Sequence, residues 1–425
     1  MSFMRFSAAP AGRLSDRTIP WALFGERPEI ADGLEDSALA GVNLAQIGSV
    51  PGAPMFEPDS LFGAHIAGLH MELAEDAPVV VFVHGFEGEP RRPVAARCKS
   101  DNPHRTIFHF DETLGGTGSR EEREHHRTPW FARGMLEKGR GKAQKCEGLA
   151  VGYSYASYGG SQDAYLPRWS QRALSATGLR MPWSEPPDPY INAYRDAEMA
   201  GYGLAAVLTQ LRARLQDEGF EGRRIDILCH SLGARTVMSA LAMIAQRWPE
   251  NDTIACIDRV LLLGGACYWG QAAFALANIT FANPPSRPQF YNFNSGHDDV
   301  LRYLAARATP AAAVEEALED LSLEGDARSA LEGGRTIGMH GRPSHDLYEF
   351  FGPEYTDWVD VPLDGARTRR WGQRYGFDLR GRRKMSLGDH WVHYTHPGNW
   401  ALYRAILHER EGWSVPEVDM ELNGI

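Results

Sequence analysis

Ser231 has the strongest chemical setting in the chain. It lies in Ile225 to Ala234, which reads I-D-I-L-C-H-S-L-G-A. A short apolar run ends at Cys229, and an apolar, Ala-rich segment follows as far as Ala245. The order is strand, sharp turn, helix, with the serine at the apex, where its hydroxyl is presented for nucleophilic attack. The turn is strained, so the residues two away on each side must be small. Cys229 stands where glycine is usual, and Gly233 fills the second position. A nucleophilic serine needs a base and an acid. Ser295 to Leu301, S-G-H-D-D-V-L, offers Asp298 and Asp299 directly after an apolar run. By analogy with D-x-V-L patterns Asp298 is preferred, while either carboxylate can cap the helix that Val300 and Leu301 begin. Ser386 to Trp400 offers His390, His393 and His396. One suffices as the base; His390 is preferred, then His393.

Metal chemistry is the rival use of these histidines. Helical zinc sites space their ligands as H-E-x-x-H, whereas Pro397-Gly398 argues against a helix through this segment. Adjacent histidines in Glu121 to Arg127, E-E-R-E-H-H-R, diverge on a helix and read as a solvated face. We expect no metal and no cofactor.

The elements that must position these groups follow from apolar patterning. Pro78 to Val83, P-V-V-V-F-V, is a continuous β-branched run that suits a strand buried on both faces of a parallel sheet. It ends in His84-Gly85-Phe86-Glu87-Gly88, where a glycine lets the backbone approach a substrate. The Phe86 amide, with that of Leu232, is the expected donor pair for a developing oxyanion, and His84, Gly85 and His230 are expected beside the substrate. Gly148 to Tyr155, Arg259 to Ala266 and Gln289 to Phe293 read as further strands. Asp188 to about Glu218 reads as a helix closed by Gly219. Strands alternating with helices predict an α/β fold with a mostly parallel central sheet flanked by helices.

Residues 78–425 are expected to form the main domain and 1–77 an extension with the first strands, one of them within Ala64 to Leu73. The polar stretch 89–146 and the stretch 305–385 read as two long insertions, a lid or cap. Ala311 to Leu331 is helical in pattern. The basic run from Arg367 to Lys384 reads as a solvated surface.

Bulk properties exclude some functions. The net charge of −11 opposes an electrostatic grip on nucleic acid. Five scattered cysteines with no C-x-x-C pair suit a reducing compartment. The N-terminus lacks an apolar run suited to a signal peptide, and no run is long enough to span a membrane. A cytoplasmic protein is expected, compatible with assembly into a homo-oligomer.

From about Pro78 to the C-terminus the chain resembles an alpha/beta hydrolase. It is similar to bacterial hydrolases with a Y-x-x-D helix before the turn, H-S-[ML]-G at the serine, an S-x-x-D-x-x-L acid loop and an H-x-Y histidine loop. The corresponding residues are Tyr194 with Asp196, at a looser spacing, Ser231, Ser295 with Asp298, and His390 with His396-Pro397. The resemblance implies a Ser-His-Asp ester or lipid hydrolase acting on a small-molecule ester. Acyl transfer, thioester or amide hydrolysis on the same triad, and a non-catalytic binding scaffold, are the alternatives.

Overall fold

The computed structural model describes residues 2–10, 21–25, 42–48, 77–85, 130, 148–157, 189–247, 252–298, 300–302, 335–380 and 390–423. Nine strands lie among them: β1 (Ser2–Pro10), β2 (Trp21–Gly25), β3 (Val42–Gly48), β4 (Val79–Val83), β5 (Leu149–Tyr155), β6 (Ile225–His230), β7 (Ile257–Leu263), β8 (Gln289–Asn294) and β9 (Trp358–Pro362). They form one sheet in the order β3-β2-β1-β5-β4-β6-β7-β8-β9. From β1 to β9 every neighbouring pair is parallel. β2 and β3 extend the sheet as an antiparallel meander beyond β1. The protein is therefore α/β with a mostly parallel sheet.

The patterning explains why the middle strands are central. All five residues of β4, all seven of β5 and all six of β6 are buried. Alternate residues feed two cores. Val79, Val81 and Val83 pack with helices α1 (Pro189–Asp217), α2 (Gly233–Arg247) and α4 (Trp269–Ala282). A short α3 (Thr253–Cys256) leads into β7. Val80 and Phe82 belong to the core on the other face. Helices α7 (Ala366–Arg374), α8 (Pro397–Arg404) and α9 (Val415–Asn423) contribute Trp371, Trp400 and Val418 there. Each large apolar side chain so buried contributes roughly 1.5–3 kcal/mol. Gly219 ends the α1 region at φ +81, a left-handed conformation that a residue without Cβ adopts freely. No helix among the described residues is long and apolar enough to cross a membrane.

Three features differ from the sequence expectations. The first residues, read as lacking periodicity, supply β1, β2 and β3; seven residues of β1 pair with β5 in register. Ala64 to Leu73 lies outside the described residues, as does Ala311 to Leu331. Residues 335–380, read as part of an insertion, carry edge strand β9 and helices α5 (Ile337–His340), α6 (His345–Phe351) and α7. Of the stretch 89–146 only Trp130 is described, and it is a core residue packed between His230 and Trp400.

Candidate functional site

The parallel strands β4 to β8 all end at one edge of the sheet, the edge where open α/β sheets commonly bind ligands. Ser231 follows β6 there at φ 55, a left-handed conformation that costs a non-glycine residue about 1–2 kcal/mol. The end of β7 and the loop beyond it hold the turn in place. The Ser231 amide donates to the Leu263 carbonyl at 3.0 Å, and its own carbonyl accepts from the Ala266 amide at 2.9 Å and the Ala234 amide at 3.0 Å. Gly233 is required because a Cβ there would meet the Val83 and His84 carbonyls at 2.7 and 2.6 Å. Cys229, the unusual small residue of the turn, is fully buried with its Sγ 3.6 Å from the Leu261 carbonyl. Burial raises its thiol well above the ordinary range, which makes it packing material.

Asp298 sits after β8 with both oxygens engaged. Oδ1 accepts the Leu301 amide at 3.2 Å, which caps the start of a helical turn. Oδ2 accepts His390 Nδ1 at 2.5 Å and the Tyr394 hydroxyl at 2.9 Å. Helix capping and contact with a histidine thus fall on the two oxygens of one carboxylate. Asp299 lies outside the described residues. Burial opposes ionisation of Asp298, but the charge and hydrogen bond of His390, with the Leu301 amide and His393, outweigh it and hold the carboxyl below its ordinary range.

The three histidines separate cleanly. His390 opens a 3-10 turn (His390–His393) and is bonded to Asp298. Its Nε2 is buried and has no hydrogen-bond partner among the described residues. His393 is fully buried with neither ring nitrogen bonded, and desolvation lowers its proton affinity. His396 is the N-cap of α8, its Nδ1 accepting the Gly398 amide at 3.2 Å. Only His390 has the carboxylate contact that fixes a tautomer with Nε2 unprotonated.

His230 and His84 lie beneath this group. The His230 ring is 4.5 Å from that of His390, centroid to centroid, and 6.1 Å edge-on from Trp130. Desolvation, with His390 and His84 as neighbours, drives its proton affinity well down, so it stays neutral. His84 is fully buried and stacks on Tyr155 at 4.5 Å. The Tyr155 amide donates to its Nε2 at 3.0 Å, so Nδ1 carries the proton that reaches the Gly85 carbonyl at 2.7 Å. His84 therefore braces β4 to β5 under the site. Gly85 abuts the serine turn. Leu232 has its side chain in the core, while its main chain leads into α2, whose first amides lack intrahelical partners. Phe86 lies outside the described residues.

Main-chain bonds join the serine to the acid loop. The Ser231 carbonyl accepts from Ala266; the Gly265 carbonyl accepts from the Gly338 amide at 2.9 Å; the Gly338 carbonyl accepts from Ser295 at 3.1 Å; and the Ser295 carbonyl accepts from Asp298 at 3.3 Å. Behind the turn, the Arg235 guanidinium lies 3.6 Å from the Tyr194 ring centroid and reaches Glu198 Oε2 at 2.5 Å, which ties α2 to α1.

Two residues of this arrangement carried no signal that the sequence alone revealed. Tyr394 simply follows His393 in H-W-V-H-Y, and Gly264 follows the apolar run V-L-L-L. Among the described residues no group of three or more His, Cys, Asp or Glu side chains is disposed to hold a metal ion.

Fold and site together define an α/β protein with a buried Asp-His pair and a strained serine at the carboxyl edge of its sheet. No protein-family model matches the chain, and no curated protein matches it.

Proposed function

We propose that the protein is a serine hydrolase of the alpha/beta-hydrolase type that cleaves a carboxylic ester through an acyl-enzyme. The observation that carries this is the 2.5 Å bond between Asp298 Oδ2 and His390 Nδ1, which leaves Nε2 unbonded in the same site as the left-handed Ser231. The order along the chain supports it: nucleophile after β6, acid after β8, histidine after β9.

In this mechanism Ser231 Oγ attacks the ester carbonyl carbon as its proton passes to His390 Nε2. Asp298 holds the imidazole in the required tautomer and stabilises the cation. The tetrahedral oxyanion is held by the Leu232 amide; loss of such a donor raises the barrier by about 2.7–4 kcal/mol. Collapse breaks the C–O bond, and the alcohol leaves with the proton from His390. Water then repeats the sequence and releases the acid. Apo hydrogen bonds between nucleophile and base commonly tighten only with substrate. The three described cysteines, Cys229, Cys256 and Cys267, are free and buried, which supports a cytoplasmic setting.

The test is hydrolysis of a chain-length series of p-nitrophenyl esters by wild type and Ser231→Ala. We expect serine-dependent turnover, with kcat falling roughly 10⁴-fold or more in the variant while it stays folded. Near-wild-type turnover by Ser231→Ala removes Ser231 from the chemistry.

A further inference from the structure

We propose that Tyr394 is a positioning residue of the catalytic group, its hydroxyl fixing the Asp298 oxygen that His390 uses. This rests on the reading of Ser231, His390 and Asp298 as a triad. Three observations carry it. The Tyr394 hydroxyl donates to Oδ2 at 2.9 Å, the same atom that accepts His390 Nδ1 at 2.5 Å. Tyr394 is fully buried, so no water competes for that bond. The backbone is also built to admit the ring: Gly264 lies at φ +55, and a Cβ there would collide with the ring and come within 2.8 Å of its hydroxyl. The Tyr403 hydroxyl, donating to the Tyr394 carbonyl at 3.0 Å, holds the main chain from behind.

Two donors on one carboxylate oxygen oppose each other electrostatically. The Tyr394 bond withdraws charge from Oδ2, so Asp298 grips the His390 imidazolium less strongly than it would alone. Tyr394 thus fixes where Oδ2 points and how strongly it holds His390. The other titratable groups around the pair are His230 from β6, His297 from the acid loop, His393 from the 3-10 turn, Asp364 beyond β9, Tyr190 from α1 and Tyr403 from α8. Among the hydrogen bonds described here, Oδ2 has no donor other than His390 and Tyr394.

The experiment compares wild type with Tyr394→Phe and with 3-fluorotyrosine installed at position 394. Readouts are the pH profile of kcat/KM on a p-nitrophenyl ester and the NMR titration and Nδ1 proton signal of His390. In Tyr394→Phe the acid limb and the His390 titration should move to higher pH, with kcat reduced roughly 10- to 100-fold and KM little changed. The more acidic fluorinated phenol donates more strongly, so both should move to lower pH. That variant keeps the ring in its niche and covers the case in which Tyr394→Phe does not fold. A profile and a His390 signal unchanged in both variants would overturn the proposal, as would shifts of the same sign. The NMR readout needs no turnover, so retained activity in Ser231→Ala would sink the triad without masking the effect of Tyr394 on Asp298.

Discussion

A Cβ on Gly85 would lie 2.7 Å from the Cβ of Ser231 and 2.9 Å from the His230 carbonyl. The end of β4 therefore touches the turn after β6 with no space for one methyl group. Ser231 is held from the other side by the Leu263 and Ala266 main chain, so it has nowhere to retreat. Gly85→Ala should cost about 1–3 kcal/mol of stability. It should also reduce kcat on p-nitrophenyl esters by more than that destabilisation explains, because the displaced atom is the Cβ of Ser231, the nucleophile proposed above. Urea unfolding with steady-state kinetics on the folded variant checks both. Full activity with wild-type stability would mean that the two turns do not press on each other.

The division of work between the two Asp298 oxygens makes Asp298→Asn informative. The amide oxygen can still cap the Leu301 amide, but the contribution of the ionised carboxylate is gone, so stability near neutral pH should fall modestly. It cannot serve both as acceptor from His390 and as a negative charge, so kcat should fall roughly 10³- to 10⁴-fold. The carboxyl is held below its ordinary range, so its stabilising contribution is present above about pH 4 and is lost as pH falls through the lowered value. The variant should accordingly show a shallower loss of stability below pH 4 than wild type. A variant that lost stability at pH 7 without losing activity would contradict this division.

Asp226 sits near the opposite edge of the sheet and gives the reverse pH dependence. Its Oδ1 accepts the Arg259 amide at 3.2 Å and its Oδ2 an Arg410 guanidinium nitrogen at 3.1 Å. Burial nevertheless wins, pushing the carboxyl up to about 7, with Arg410 pulling down and Asp258 pushing further up. The folded state then keeps a proton that the unfolded chain releases above about pH 4. Stability is lost as pH rises from about 4 to about 7, at roughly 1.4 kcal/mol per unit. Asp226→Asn has no proton to lose, so its stability relative to wild type should improve across that window and stay level above it. Denaturant unfolding of both proteins at pH 4.5, 6 and 8 measures the difference. A gap that does not change with pH would mean that Asp226 is ionised in the folded protein throughout.

The parts of the fold legible in the sequence were those fixed by local pattern. The V-V-V-F-V run, the I-D-I-L-C run before Ser231 and the long apolar stripe of α1 each announce their element within a few residues. β1 did not, because S-F-M-R-F-S-A-A-P has no sustained alternation; its pairing with β5, distant in the chain, supplies the order. β9 was hidden likewise, since W-V-D-V-P is short and places Asp360 inward, where the Asn292 amide at 2.7 Å and the Arg342 amide at 2.8 Å satisfy it. At the site, residue types pointed to Ser231, Asp298 and a histidine from 390, 393 and 396. Choosing among those three needs packing, because a spacing of three on a chain that is not a continuous helix does not say which ring meets Asp298. Tyr394 lay further out of reach, since its place depends on a missing Cβ at Gly264.

The bonds that join Ser231, Gly265, Gly338, Ser295 and Asp298 run through peptide groups alone, as described above. Peptide groups are common to every residue, so a mutation at most of these positions leaves the wiring in place. The two glycines are the exceptions, because a Cβ at 338 would lie 2.4 Å from the Gly265 amide nitrogen and one at 265 would lie 2.8 Å from the Ile337 side chain. For anyone wishing to redesign the site, the spacing of Ser231 and Asp298 is thus a chassis. Side chains outside the contacts of Ser231, Asp298, His390 and Tyr394 can be varied on it, provided that those two hydrogens are left alone.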